Sequence, residues 1–307
     1  MILNRRQFLA TSSAAIAAGV ISDLRALGQA TQAPPPSPKF EELRGGVGIF
    51  TQRGGTIGYF ISPDGVVVID SQYADTAPVC LDGLKQRATR PIDFLFNTHH
   101  HADHTGGNLV FRPAVKKIVA HARVPELQKT AAVQAKTEDH QAYADATFTN
   151  TWAETIGRET VEARHDGPGH TGGDAVVTFQ RANVVHMGDL MFHRIQPRVD
   201  RPAGASIVNW AKTLEQVTKD HEADTLYIFG HAAPGAAVTG RRADLLLFRD
   251  YLSAALDHVR RQMAAGAEKD AIIKLDTLPG FTDLAPLGGR LTASHLLEMA
   301  YEELAAK

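Results

Sequence analysis

The chain has a single cysteine, Cys80, so no intrachain disulfide can form and the fold must be held by its core. Cys80 falls in the helix expected after Asp75, where a lone thiol reads as a small buried hydrophobe. Charge of one sign is also missing. The formal net charge is −2, and Lys and Arg nowhere cluster beyond two or three residues. That leaves no electrostatic footprint for nucleic acid. Long apolar runs are absent as well: the stretch from Ala10 to Ile21 is interrupted by Asp23 and Arg25 and is too short to span a bilayer stably. No repeat or low-complexity block is present apart from one short proline stretch.

What remains is a chain of 307 residues, 44 % hydrophobic, enough for one large core or two modest ones. Its start has the order of an export signal: Asn4-Arg5-Arg6-Gln7-Phe8-Leu9, a short Ala/Ser/Gly-rich apolar middle, then small residues near Gly28-Gln29-Ala30. The paired arginines before Phe-Leu resemble the twin-arginine type. That resemblance implies export in the folded state to the periplasm or exterior, with any metal already loaded and no stable membrane insertion after cleavage. Ala33-Pro34-Pro35-Pro36-Ser37-Pro38 follows as an extended tether. The expected organisation is a signal peptide over 1–30, a linker over 31–39 and one catalytic domain over 40–307.

Within that domain the chemistry concentrates in Thr98-His99-His100-His101-Ala102-Asp103-His104-Thr105-Gly106-Gly107. It follows Pro91–Asn97, an apolar run that reads as a buried strand. Histidine runs also occur as solvated loops. This one is internal, follows a buried strand, and carries an aspartate and a diglycine in register. Neutral imidazole is the commonest metal ligand, and a carboxylate adds charge compensation. Alternation points His99 and His101 the same way, while Asp103 and His104 fall on the next bend and can face a second ion. The diglycine is expected to let the chain turn tightly.

Strands are expected at Val47–Phe50, Thr56–Ile61, Val66–Ile69, Lys117–Ala120, Thr160–Arg164, Ala175–Gln180, Val184–His186 and Thr225–Phe229. Helices are expected at Thr76–Thr89, over most of Arg123–Tyr143, and at Ile207–Asp220, Arg241–Ala264 and Leu291–Ala305. Their alternation argues an α/β class. Several strands end on chemistry. Asp70 closes a run buried on both faces and reads either as a carboxylate supporting a metal-bound histidine or as a helix cap or turn residue. His170, in the glycine-rich turn Gly167-Pro168-Gly169-His170-Thr171, is the candidate third ligand of a first ion. Asp189 in Met187-Gly188-Asp189-Leu190 can give one oxygen to each of two cations. His231 follows Gly230 at another strand end. His121 and His140 are read as surface or edge residues. His221, His258 and His295 read as structural.

At His99-x-His101-x-Asp103-His104, His170, Asp189 and His231 the chain resembles the metallo-β-lactamase superfamily, from about Val47 to Pro234. The resemblance implies a four-layer αβ/βα sandwich with two zinc ions at one edge, although the same ligands accept iron. Carried over position by position, His99, His101 and His170 hold the first zinc. Asp103, His104 and His231 hold the second, and Asp189 bridges or completes it. Asp70 matches the family's supporting carboxylate. Such a site lowers the pKa of bound water from about 15.7 to about 7, with Asp103 orienting that solvent or shuttling its proton.

The expected activity is hydrolysis by a metal-bound hydroxide of a small-molecule cyclic amide or ester, β-lactam-like. A thioesterase or lactonase of the same fold is the alternative enzyme, since Asp189 stands where the β-lactamases of the superfamily usually carry Cys or Ser. From another class, a non-hydrolytic diiron or metal-binding protein also uses these ligands.

Overall fold

The computed structural model describes residues 36–306. The expected signal peptide and most of the expected linker lie outside the described residues. No helix among the described residues is long and apolar enough to cross a membrane.

The first sheet runs in sequence order through β1 (Lys39–Arg44), β2 (Val47–Thr51), β3 (Ile57–Ile61), β4 (Val66–Ile69), β5 (Ile92–Asn97), β6 (Val115–His121) and β7 (Ala146–Phe148). Its first four strands pair antiparallel and the last four parallel. The second sheet holds β8 (Thr151–Ile156), β9 (Glu159–Arg164), β10 (Val176–Phe179), β11 (Val184–His186), β13 (Leu226–Ile228) and β15 (Thr239–Gly240). A small parallel ribbon pairs β12 (Phe192–His193) with β14 (His231–Ala232).

Period-two alternation builds the layers. In β4 and β5, Val67, Ile69, Phe94 and Phe96 face one way and pack with Val161, Val177, Phe179 and Ile228 of the second sheet. Val66, Val68 and Leu95 face the other way, onto the helix Ala77–Arg87 with its buried Cys80. This is why β4 reads as a continuous apolar run and β5 as one broken only by Asp93 before its terminal Asn97. The outer face of the second sheet is covered by helices Ile207–Asp220, Arg242–Ala264 and Ala293–Ala305 around Trp210, Tyr227 and Tyr251. The order is helix, sheet, sheet, helix: the αβ/βα sandwich expected.

The helix expected over most of Arg123–Tyr143 runs to Ala135, where Lys136 turns left-handed (φ +57°) and its N–H returns to the Ala132 and Val133 carbonyls. Elsewhere the structure departs from expectation. Strands β1 and β8 are additions to the expected set; β8 turns Trp152, Glu154 and Ile156 to its more buried face, Trp152 lying 4.9 Å from Phe94 and Glu154 pairing with Lys117. His121 is buried, not at a surface, and stacks on His165 with ring centroids 3.8 Å apart. Gly106 and Gly107 keep ordinary helical dihedrals. Their smallness is what counts there: a Cβ on Gly107 would meet the Ser71 carbonyl at 2.2 Å.

The two sheets are stitched at the edge where the site lies. The Thr56 N–H and hydroxyl both donate to the Gly230 carbonyl (2.9 and 3.1 Å). His186 Nε2 lies 3.0 Å from the Thr56 carbonyl.

Candidate metal centre

Strand β5 ends in Asn97, whose amide exchanges two hydrogen bonds with buried Asn108 (2.8 and 3.0 Å). This locks the start of the histidine loop. The loop then enters one helical turn, Ala102–Thr105, and is tied from outside by Gly55 N–H to the Asp103 carbonyl (3.0 Å) and Ser71 N–H to the His104 carbonyl (2.8 Å). Gly55 is required there, since a Cβ would sit 2.1 Å from the His104 ring.

His99, His101, His170 and Asp189 bring four donor atoms together, and Asp103, His104 and His231 bring three more. In the first group His101 Nδ1 lies 3.1 Å from His99 Nε2 and 2.9 Å from His170 Nε2. In the second, His231 Nε2 lies 3.1 Å from Asp103 Oδ2 and 3.4 Å from His104 Nε2. Asp189 stands between the groups. Its Oδ2 is 3.7, 3.4 and 3.3 Å from the Nε2 atoms of His99, His170 and His231, and its Oδ1 is 3.0 Å from His104 Nε2. That last approach is close but poorly aligned, and Oδ1 has no hydrogen-bond partner although fully buried.

The far side of four rings is occupied. His99 Nδ1 faces Thr98 Oγ1 (3.1 Å), which donates to Asp70 Oδ2 (2.8 Å). His104 Nδ1 faces the same Asp70 oxygen (2.7 Å), His170 Nδ1 the Arg198 carbonyl (2.7 Å), and His101 Nε2 the Asp200 carboxylate (2.7 Å). A carbonyl or carboxylate only accepts, so the ring nitrogen facing it carries the hydrogen. That leaves His101 Nδ1 and His170 Nε2 facing each other at 2.9 Å, a spacing that calls for a proton or a metal ion between the two lone pairs. Zn–N bonds of about 2.0–2.1 Å in a tetrahedron put ligand nitrogens roughly 3.3–3.4 Å apart, close to the spacings seen. An orphaned buried carboxylate oxygen, converging imidazoles and hydrogen-bonded outer nitrogens all fit a metal centre.

Electrostatics follow from burial and sign. Burial keeps His99 well below the ordinary histidine range and His170 at about 3, with neighbouring histidines adding to the effect. Burial works against charge on His104 and His231 too, but Asp189, joined by Asp70 and Asp103 at His104 and by Asp103 at His231, outweighs it. His104 is held well above its usual value and His231 at about 9. Burial likewise opposes ionisation of Asp103 and Asp189. The facing imidazoles overcome it, led by His104 at Asp103 and by His231 at Asp189, and hold both below the usual carboxylate range. Both aspartates are thus acceptors.

All seven residues expected at the metals come together, with Asp70 directly behind His104. Sequence reasoning missed Asp200 and Thr98. Thr98 adjoins the motif and was there to be found, whereas Asp200 follows no strand and carries no local signal. His193 and Arg194 line an apolar cavity with Phe248, Tyr251 and Phe281.

The family model of the metallo-β-lactamase superfamily matches residues 51–231, more than half of the 307. Among curated relatives, metallo-beta-lactamase IND-1 of Chryseobacterium indologenes is 27 % identical over 174 residues, 56 % of this chain and 70 % of that protein. A metallo-beta-lactamase type 2 of Elizabethkingia meningoseptica is 24 % identical over 220 residues, 69 % of this chain and 84 % of its own. Among solved structures, a metallo-beta-lactamase from Pontibacter korlensis superposes with TM-score 0.59 at 19 % identity, covering 71 % of this chain and 99 % of that one. The sec-alkylsulfatase Pisa1 from Pseudomonas sp. gives 0.67 at 17 % identity, covering 86 % of this chain and 50 % of its own. At those identities the structures speak for the fold alone.

Proposed function

The chain belongs to the metallo-β-lactamase superfamily, and from its metal centre we propose that it is an exported two-zinc hydrolase of a small cyclic amide or ester, β-lactam-like in its reacting bond. The observation that carries this is the position of Asp189 between two groups of donors, Oδ2 near both His170 and His231 and Oδ1 near His104. His99, His101 and His170 would hold one zinc; Asp103, His104 and His231 the other; Asp189 would reach both. Bound zinc would supply a water acidic near neutral pH and a Lewis acid for the carbonyl.

The protein's own groups do the rest. Asp103 is kept ionised, so its carboxylate can accept a proton from the attacking water and orient that water toward the substrate. The Asp103 side chain is 22 % exposed and His231 20 %, against 4 % or less for His99, His104, His170 and Asp189. Substrate therefore enters on the Asp103–His231 side. Phe192 packs nearly parallel to His231 (5.5 Å, 18°) and closes that side to water from behind. No serine or cysteine nucleophile is needed, and Cys80 is buried with its thiol pushed far up.

A second reading, a lactonase or thioesterase, is favoured by the same residue, since Asp189 stands where the β-lactamases of the superfamily usually carry Cys or Ser. A panel of nitrocefin, lactones and thioesters on the zinc-loaded protein tests both. Turnover of lactam or lactone is expected, lost on chelation and restored by zinc. Thioester turnover without lactam turnover would move the assignment to the second reading. Tightly bound iron with no hydrolysis would end both in favour of a redox protein.

A further inference from the structure

His101 turns its two nitrogens to different surroundings. Nδ1 looks into the three-histidine group, and Nε2 lies 2.7 Å from Asp200 Oδ2. Asp200 is itself held on several sides. Its N–H donates to the His170 carbonyl (3.1 Å), its carbonyl accepts from Ala203 and Ala205 N–H (both 3.1 Å), and Oδ1 accepts from Ala203 N–H (3.2 Å). Two residues earlier the Arg198 carbonyl takes the His170 Nδ1 hydrogen at 2.7 Å. One short turn thus grips two of the three histidines from behind. His170 is gripped by a backbone carbonyl that any residue would supply. His101 is gripped by a side chain.

We propose that Asp200 is a positioning residue of the metal centre: its carboxylate fixes the tautomer of His101 that presents the Nδ1 lone pair to the metal, and lends the ring negative charge. This rests on the metal-centre reading above. The physics is that of a carboxylate behind a ligand imidazole, which orients the ring and raises its basicity. Two other roles compete. Asp200 also caps the short turn Arg201–Ala203, and a cap alone would leave the metal indifferent. His100 Nε2 lies 3.8 Å from the same Oδ2, so His100, His101 and Asp200 can be drawn as a cation site of their own. That site needs a bare Nε2 on His101, which the hydrogen bond to Asp200 denies it.

The test is zinc titration of the full chain against a chromophoric chelator, for wild type, Asp200→Ala and Asp200→Asn, with the visible spectrum of the cobalt-substituted protein. Asp200→Ala is expected to weaken one of two zinc equivalents by about 10–100-fold, the usual range for such outer partners. Its cobalt bands should shift for that equivalent alone. Asp200→Asn keeps a single oxygen, which when turned to His101 still accepts from Nε2 while leaving the Ala203 N–H uncapped, and it lacks the charge, so its loss is expected to be smaller and still measurable. It also serves if the alanine variant fails to fold. Wild-type affinity and an unchanged cobalt spectrum in either folded variant overturn the proposal. So does loss of a third equivalent with the first two intact, which would mark the separate cation site. Neither result touches the hydrolase reading, which fails if the wild type itself binds no zinc.

Discussion

His104 Nδ1 meets Asp70 Oδ2 at 2.7 Å with both side chains fully shielded from solvent. The same oxygen takes the Thr98 hydroxyl, behind which lies His99, and Oδ1 takes the Thr98 N–H at 2.8 Å. One carboxylate therefore backs both halves of the centre, directly for one and through a hydroxyl for the other. Asp70→Asn turns an N–H₂ or a single carbonyl toward several donors and should lower zinc affinity by about 10–100-fold. Both equivalents should suffer, unlike the one-sided effect expected at Asp200. Asp70 also has a left-handed backbone (φ +66°), which Asn tolerates and Ala does not. Asp70→Ala should lose roughly 1–2 kcal/mol more in urea unfolding than the Asn variant.

Gly230 precedes His231 and has no room for a side chain. A Cβ would lie 2.0 Å from Asp189 Oδ1 and 2.7 Å from the Gly188 carbonyl. Gly230→Ala is expected to displace Asp189, with an overpacking cost of about 1–3 kcal/mol. Zinc bound per chain, read by elemental analysis after dialysis, should drop from two toward one. Two retained equivalents would show that the loop relaxes around the methyl group.

Trp210 Nε1–H donates to the Leu190 carbonyl at 2.9 Å, next to Asp189, and its ring packs on His170 (5.8 Å) and Phe248 (5.6 Å). Trp210→Phe keeps most of the packing but leaves that buried carbonyl without its partner, a loss of about 1–3 kcal/mol. Urea denaturation of the zinc-free chain checks this, with the remaining tryptophan, Trp152, as the optical probe.

Burial holds His121 neutral with a pKa of about 4, helped by the charges of His165 and Arg123. An unfolded histidine titrates near about 6.5, so between those values the unfolded chain binds more protons than the folded one. Stability must fall as the pH drops through that window. His121→Phe keeps an aromatic face against His165 and removes the proton. Denaturation midpoints of the chelated proteins from pH 7 to 4 should therefore decline less steeply in the variant. Parallel curves would place the acid sensitivity elsewhere.

Where the buried strands end and what chemistry they carry was legible in the chain, because local rules govern both. Val66–Ile69 and Ile92–Asn97 are buried on two faces, the first an unbroken apolar run and the second interrupted only by Asp93 before it ends in Asn97. The histidine loop keeps its donors within one turn. The parts that escaped depend on residues far apart in sequence. Asp200 gains its meaning from His101, across a turn with no motif. His121 is internal only because His165 covers it. Strand β8, with Thr151, Ala153 and Thr155 outward, is placed by one tryptophan against Phe94 and Phe96. Gly106 and Gly107 were visible in the sequence, but the reason for them, the Ser71 backbone pressed against the loop, was not.

The Thr56 N–H that reaches Gly230 closes a seam between strands that enter the chain far apart. That amide is a natural clock for the rarest breathing of the molecule. Its hydrogen trades with deuterated solvent when that bond opens, and an opening that parts the two sheets would carry His104 away from His231. Its exchange half-life, read with and without zinc, would time how often the two halves let go.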